Sequence, residues 1–347
     1  MQHHIHTENP LHHALQEKID NLNKPKGSMG KLEKLALQIG LIQQSLEPEL
    51  THPCHLLFGA DHGIEQEGVS VSPREVTWQQ MVNFSKGGGG VNMFCRQHGF
   101  ELILVDVGVD HNLSHIPLIR NCKIAPHGTQ NFLHKPAMSE QQMQQCLKVG
   151  ADLVDECANK GCNILSIGEM GIANTSPSSI WMHLLQGHPL EQCVGAGAGL
   201  NHHGIAHKLQ VLQQATERFT ESHPSYTPHH VMSHFGGFEM VAATGAMLRA
   251  YDRHMTVLID GFIMTACALM ASHINPQFLQ NAIFCHQGDE AGHRLMLETL
   301  GVKGLLQLGL RLGEGTGALC AYPIVESAVR MLNEMNNFQN AQITKYF

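Results

Sequence analysis

Apolar positions along the chain fall into two alternating kinds of run. Short runs rich in Val, Leu and Ile occupy residues 55–59, 101–107, 163–167, 256–259 and 282–285, and within them apolar and polar positions barely alternate. Strands buried on both faces read this way. Longer stretches with apolar residues three and four apart come next at 76–98, 139–159, 204–221, 238–251 and 288–299, the spacing of a helix face. Strand and helix in alternation predict an α/β chain with a mostly parallel sheet. Residues 7–47 read as helices interrupted at Lys24-Pro-Lys-Gly-Ser-Met-Gly30, and 318–335 as one more helix. The four glycines at 87–90 interrupt the 76–98 stretch as a tight break or a ligand-facing turn.

The loops at the ends of the strands carry the chemistry. The five runs lead into Gly59-Ala-Asp-His-Gly63, Asp106-Val-Gly-Val-Asp110, Gly168-Glu-Met-Gly171, Asp260-Gly261 and His286-Gln-Gly-Asp-Glu-Ala-Gly292. Ligands of open α/β sheets bind beyond the carboxyl ends of the strands, so these five loops are expected to crowd one edge. A sixth segment, Arg311-Leu-Gly-Glu-Gly-Thr-Gly-Ala318, sets one carboxylate, Glu314, among three glycines where the last helix begins. Glycines allow close backbone approach, and helix starts favour negative charge. An acid that merely complements the dipole is the ordinary reading. The recurrence of glycine-plus-acid loops favours a reacting carboxylate.

Composition narrows the class. A chain of 347 residues, 43% hydrophobic and 15% charged, is sized for about two domains with a substantial core. A net charge of −8 with 22 Lys+Arg argues against nucleic acid, which needs a clustered basic surface. No apolar stretch reaches membrane-span length, and MQHHIHTENP lacks the pattern of a secretory signal. A cytoplasmic protein is expected. The ten cysteines form no C-x-x-C; the nearest pair, Cys157 and Cys162, is too wide for a zinc knuckle. They read as reduced, buried thiols. Among 26 histidines, His202, His203 and His207 include an i,i+4 pair without H-E-x-x-H, and His3, His4 and His6 stand in a polar tail. None comes with an acid or cysteine at ligand spacing, so neither a metal nor another cofactor is expected.

Three common signatures are missing. There is no G-x-x-x-x-G-K-[ST], no G-x-S-x-G, and Gly195-Ala-Gly-Ala-Gly199 is not G-x-G-x-x-G. What remains is glycine loops whose backbone N–H groups can hold phosphate, carboxylates suited to ribose hydroxyls or a base, and few cations. Lys208 reads either as a cationic supplement to the 195–199 loop or as a solvated helix lysine.

The segments Lys24-Pro-Lys-Gly-Ser-Met-Gly-Lys-Leu-Glu33, Ala60-Asp-His-Gly63, Gly68-Val-Ser-Val-Ser-Pro-Arg-Glu-Val-Thr77 and Gly128-Thr-Gln-Asn131 resemble one family. So do Pro136-Ala-Met138, Gly168-Glu-Met-Gly-Ile-Ala-Asn-Thr175, Gly236-Gly237, Asp260-Gly-Phe262 and the Glu314 segment, in order from about residue 11 to 337. The family is the nicotinate-nucleotide:dimethylbenzimidazole phosphoribosyltransferases of the cobamide lower-ligand pathway. The resemblance implies transfer of ribose phosphate from nicotinate mononucleotide to an azole nitrogen of dimethylbenzimidazole, with inversion at the sugar carbon.

That chemistry suits the residues. The pyridinium of the donor leaves as a neutral ring and demands no general acid, and one base suffices for the azole N–H. Glycosidases usually need two acids. The resemblance makes Glu314 the base, places Ser72, Gln80, Glu169 and Met170 on the azole side, and places Gly171, Asn174, Thr175, Gly197, Ala198, Gly199 and Lys208 on the phosphate and ribose side. Trp78, two residues from Gln80, stands where the family usually has a small residue; it walls the acceptor pocket or packs as core. The implied architecture is a three-layer, Rossmann-like α/β domain over 50–315, with a smaller helical domain from 1–49 and 316–347. A homodimer is also implied. A non-catalytic sensor on the same fold predicts loss of Glu314, and a nicotinamide-dependent oxidoreductase predicts a dinucleotide fingerprint.

Overall fold

Backbone pairing joins six strands into one sheet: β1 (Cys54–Ala60), β2 (Glu101–Gly108), β3 (Ile119–Asn121), β4 (Ile164–Met170), β5 (Thr256–Ile259) and β6 (Ala282–Phe284). Their order is β3-β2-β1-β4-β5-β6, and every pairing is parallel. The computed structural model describes residues 10–345, so the His3, His4 and His6 tail lies outside the described residues. The strands are apolar on both faces, which is why their sequences barely alternate. In β1, Cys54, Leu56, Phe58 and Ala60 enter one core while Leu57 enters the other. The same period of two separates Val257 and Ile259 from Leu258 in β5.

Thirteen helices are present among the described residues. In chain order they are α1 (Pro10–Asn21), α2 (Lys31–Ile42), α3 (Val76–Ser85), α4 (Gly90–His98), α5 (Glu140–Asn159), α6 (Thr175–Gln186) and α7 (Leu190–Cys193). Then come α8 (His202–Ser222), α9 (Pro228–Phe235), α10 (Phe238–Asp252), α11 (Phe262–Ile274), α12 (His293–Leu300) and α13 (Thr316–Glu334). Helices α5, α6, α10 and α11 cover one face of the sheet. On the other face, Leu15, Ile19, Leu35 and Ile39 of α1 and α2 meet Val325, Val329 and Leu332 of α13, and this core continues onto Leu57, Leu104 and Leu258 of the sheet. The layers are helix, sheet, helix.

Several boundaries differ from the sequence reading. The expected 76–98 helix is two helices, because the glycines at 87–90 break it. The expected 288–299 helix begins only at His293, and β4 extends to Met170, so Glu169 is strand rather than loop. Strand β3 and helices α6, α9 and α11 are additions that the apolar pattern does not announce. Helix α11 is buried from Met264 through Ser272 and so shows no amphipathic stripe. The Lys24–Glu33 motif proves to be a clasp between α1 and α2: Lys24 pairs with Glu33 at 2.8 Å, and Glu33 accepts from Met29 N at 2.9 Å. No helix among the described residues is long and apolar enough to cross a membrane. The ten cysteines carry no disulfide and are mostly buried.

Candidate active site

The sheet order reverses at β1, which has β2 on one side and β4 on the other, and a cavity of about 300 Å³ opens at the carboxyl ends of β4, β5 and β6. Its walls come from the segments after these three strands, from residues between Val69 and Gln80, and from the 310–314 loop. All five loops stand at one edge of the sheet, as parallel pairing requires, but of them only the three after β4, β5 and β6 line the cavity. The 59–63 and 106–110 loops build scaffold instead, Asp61 accepting from Asp110 N at 2.7 Å. Asp106 accepts from Gly108 N at 3.0 Å and Val109 N at 2.8 Å and pairs with Lys123 at 3.2 Å. Asp110 is held by Arg74 at 3.1 Å and His127 at 2.7 Å.

Glu314 enters the cavity from a strained turn. Gly313, Glu314 and Gly315 are successive left-handed residues, with φ of 85°, 62° and 77°. Gly315 has a second reason to be glycine, since a side-chain carbon there would lie 2.2 Å from His55 Cε1. Among the cavity-lining residues, only Glu314 and Ala173 are non-glycine residues with positive φ, and such strain concentrates at functional sites. The Glu314 Oε2 atom accepts from Val91 N at 3.0 Å, and the carboxylate also accepts from Gly90 N. These N–H groups belong to the first turn of α4, not to α13, the helix that Glu314 precedes in sequence. The glycine break at 87–90 is what delivers them. Burial raises the Glu314 pKa above the ordinary carboxylate value, and the two N–H groups oppose that rise.

Glu169 faces the same cavity in another setting. At the end of β4 it receives one amide, Asn174 Nδ2, at 2.5 Å from Oε2. Burial pushes its pKa up to about 8; the Asn174 hydrogen bond opposes this, and the Glu239, Asp260 and Glu314 carboxylates add to the rise. That rise favours its protonated, carboxylic acid form at neutral pH. Below both, His55 shares a 2.9 Å hydrogen bond with Ser166, and burial lowers its pKa to about 4, so it is neutral.

On the opposite side, Lys208 is fully buried, which rules out a solvated lysine. Its Nζ donates to Thr175 Oγ1 at 2.7 Å, and desolvation lowers its pKa to about 8 despite the nearby Glu290 carboxylate. Thr175, Gly197 and Ala198 line the cavity above it. Gly197 N already donates to Glu290 Oε1 at 3.1 Å. Gly199 is exposed and does not line the cavity. Gly171 and Asn174 line it too.

Ser72, Gln80 and Met170 line the remaining wall with Val76. Trp78 does not: it stacks on His111, ring centroids 4.3 Å apart, and packs against the α13-side core. Among the lining residues that the resemblance did not assign to the site are Asp260, His286 and Glu290. Asp260 accepts from Ala318 N at 3.0 Å and lies 3.3 Å from His286 Nε2. All three stand in post-strand loops rich in glycine and acids, which was the available signal. His207 bonds the Glu67 carbonyl at 2.6 Å, and among the described residues no group of three or more His, Cys, Asp or Glu is placed to hold a metal.

Comparison with known proteins agrees along the chain. The phosphoribosyltransferase family profile matches residues 6–343. The nicotinate-nucleotide–dimethylbenzimidazole phosphoribosyltransferase of Phocaeicola vulgatus is 58% identical over 346 residues, 99% of each chain. That of Bacteroides fragilis is 57% identical over 337 residues, 97% of this chain and 96% of the relative. The crystal structure of CobT from Thermus thermophilus superposes with a TM-score of 0.93 at 35% identity, over 97% of this chain and 100% of that one. The chain belongs to the nicotinate-nucleotide–dimethylbenzimidazole phosphoribosyltransferase family.

Proposed function

We propose that this chain transfers the ribose phosphate of nicotinate mononucleotide to 5,6-dimethylbenzimidazole or a related azole. The products are α-ribazole 5′-phosphate and nicotinate, in assembly of the cobalamin nucleotide loop. The lone-pair nitrogen of the azole attacks the anomeric carbon as the bond to the pyridinium breaks, and that electron pair returns to the ring. The azole then carries one proton too many, and its remaining N–H gives that proton to Glu314. The observation that carries this reading is the setting of Glu314. It is held in a left-handed turn at the cavity, with its carboxylate anchored by the Val91 and Gly90 N–H groups of α4. This carboxylate is the base.

Ser72, Gln80 and Met170, with Glu169, form the azole side in this reading. Thr175, Gly197 and Ala198 over the buried Lys208 receive the phosphate and ribose, with Gly171, Asn174 and Gly199 adjoining. A phosphate there competes with Glu290 for the Gly197 N–H. The test is to mix protein, nicotinate mononucleotide and dimethylbenzimidazole and to follow nicotinate release by chromatography. Release dependent on the azole is expected; binding of both compounds without release would favour a sensor. The same reading makes the protein a cytoplasmic homodimer, and a monomeric mass by light scattering at micromolar concentration would count against the dimer.

A further inference from the structure

Behind the cavity wall lies a buried polar chain. His62, in the loop after β1, meets Glu239 Oε1 at 2.6 Å, and Glu239 sits in the first turn of α10. Asn174 Nδ2 spans from that same Glu239 oxygen, at 3.4 Å, to Glu169 Oε2, at 2.5 Å. His62, Glu239, Asn174 and Glu169 are respectively 1%, 0%, 5% and 7% exposed, so the His62–Glu239 end is sealed and the chain meets the cavity only at Asn174 and Glu169. Two backbone positions are shaped around it. A side-chain carbon on Gly171 would lie 2.9 Å from Glu239 Oε1, and one on Gly237 would lie 2.2 Å from His62 Cε1. Glycine at 237 is thus explained by clearance for this pair, and glycine at 171 by clearance for the pair together with the Ala60 carbonyl, 2.7 Å away. Gly171 then need not contact a phosphate.

The geometry decides how Glu169 is used. Its Oε2 is an acceptor, because an amide N–H points at it. Its Oε1 lies toward the Glu314 turn, where a side-chain carbon on Gly313 would come within 2.5 Å, and no described protein group bonds it. Three carboxylates face it from three elements: Glu239 from α10, Asp260 from beyond β5 and Glu314 from the turn before α13. His62 stands behind Glu239, and His286 beside Asp260 at 3.3 Å. No lysine or arginine among the described residues pairs with it.

Resting on the reading of the site given above, we propose that His62 and Glu239 are positioning residues for the transfer. Acting through Asn174, they fix Glu169 as a neutral acid whose Oε1–H is offered to the bound substrates, leaving Glu314 as the sole anionic base. Asn174 is thereby a strut between two carboxyls, and not chiefly a phosphate ligand. Burial and the three carboxylates hold the Glu169 pKa up at about 8, so the rate contribution of this hydrogen-bond donor is present below that pH and lost above it. Removing the Glu239 charge removes one contribution to the rise, so the loss should begin at lower pH.

The test is the pH dependence of kcat/KM for dimethylbenzimidazole in Glu239→Gln, a change that keeps the shape of the pair, with nicotinate mononucleotide saturating so that Lys208, whose own pKa is lowered to about 8, is engaged by phosphate throughout. The expected result is an alkaline limb moved to lower pH by about half a unit or more, with kcat/KM at pH 8 down about three- to ten-fold. A limb unmoved from wild type would overturn the proposal, leaving the pair as packing alone. Should Glu239→Gln fail to fold, the intact protein answers by infrared difference spectroscopy. A protonated-carboxyl C=O band at pH 7 that disappears in Glu169→Gln is expected, and absence of that band in the wild type would overturn the proposal. Failure of the functional reading looks different: wild-type protein would then release no nicotinate at any pH.

Discussion

The turn carrying Glu314 and the strand end carrying Glu169 bring the same side chain to the same cavity, yet give it two environments. Glu314 leans on the N–H groups of Gly90 and Val91, the positive end of α4. Glu169 has one neutral amide and a ring of carboxylates. Burial raises both pKa values. Only at Glu314 does a helix terminus oppose it, and only at Glu169 is the value pushed to about 8. Paired carboxyls driven apart in this way divide acid and base roles between them. What separates them is the backbone delivered to each: the glycine break at 87–90 gives Glu314 two N–H groups that favour its anion, and Glu169 has none.

The comparison can be broken most forcefully at Glu314. Glu314→Gln keeps size and hydrogen bonding but removes basicity. Turnover should fall about two orders of magnitude or more, with both substrates bound within a few-fold. Turnover largely retained in a steady-state assay would transfer the base role to Glu169. Glu169→Gln mimics the neutral acid and should cost about ten-fold or less at neutral pH. A loss as large as that of Glu314→Gln would erase the distinction between the two carboxyls. Lys208→Ala, by calorimetric titration, should weaken nicotinate mononucleotide about ten-fold or more and dimethylbenzimidazole little, since it removes a buried charged donor. Equal weakening of both would detach Lys208 from the phosphate. Smallest in catalytic effect is Trp78→Ala: stacked on His111 outside the cavity, it should lower the melting temperature by a few degrees and leave the acceptor profile unchanged. A broadened acceptor range would make Trp78 a pocket wall after all.

Much of this is legible in the sequence, for identifiable reasons. Strands apolar on both faces announce a parallel sheet, and the glycines around Glu314 announce a turn that only special dihedrals allow. Two things are not legible. Wholly buried segments such as α11 carry no periodic stripe, so their type cannot be read. Long-range pairing is also invisible: nothing near Glu314 in sequence says that its carboxylate is held by Val91, or that Glu239 stands behind Glu169. Within the motif Gly168-Glu-Met-Gly171, Gly171 lines the cavity and also clears the Ala60 carbonyl and the buried His62–Glu239 pair, a second role that no local pattern announces.

The central claim is that Glu314 acts as an anion and Glu169 as an acid, and the most direct measurement is kcat against pH at saturating substrates for wild type and Glu169→Gln side by side. The wild-type rate should fall as pH rises through about 8, the value to which burial and its carboxylate neighbours push Glu169, and the fall should vanish when a non-ionising glutamine stands there. An identical alkaline fall in both proteins would contradict the account.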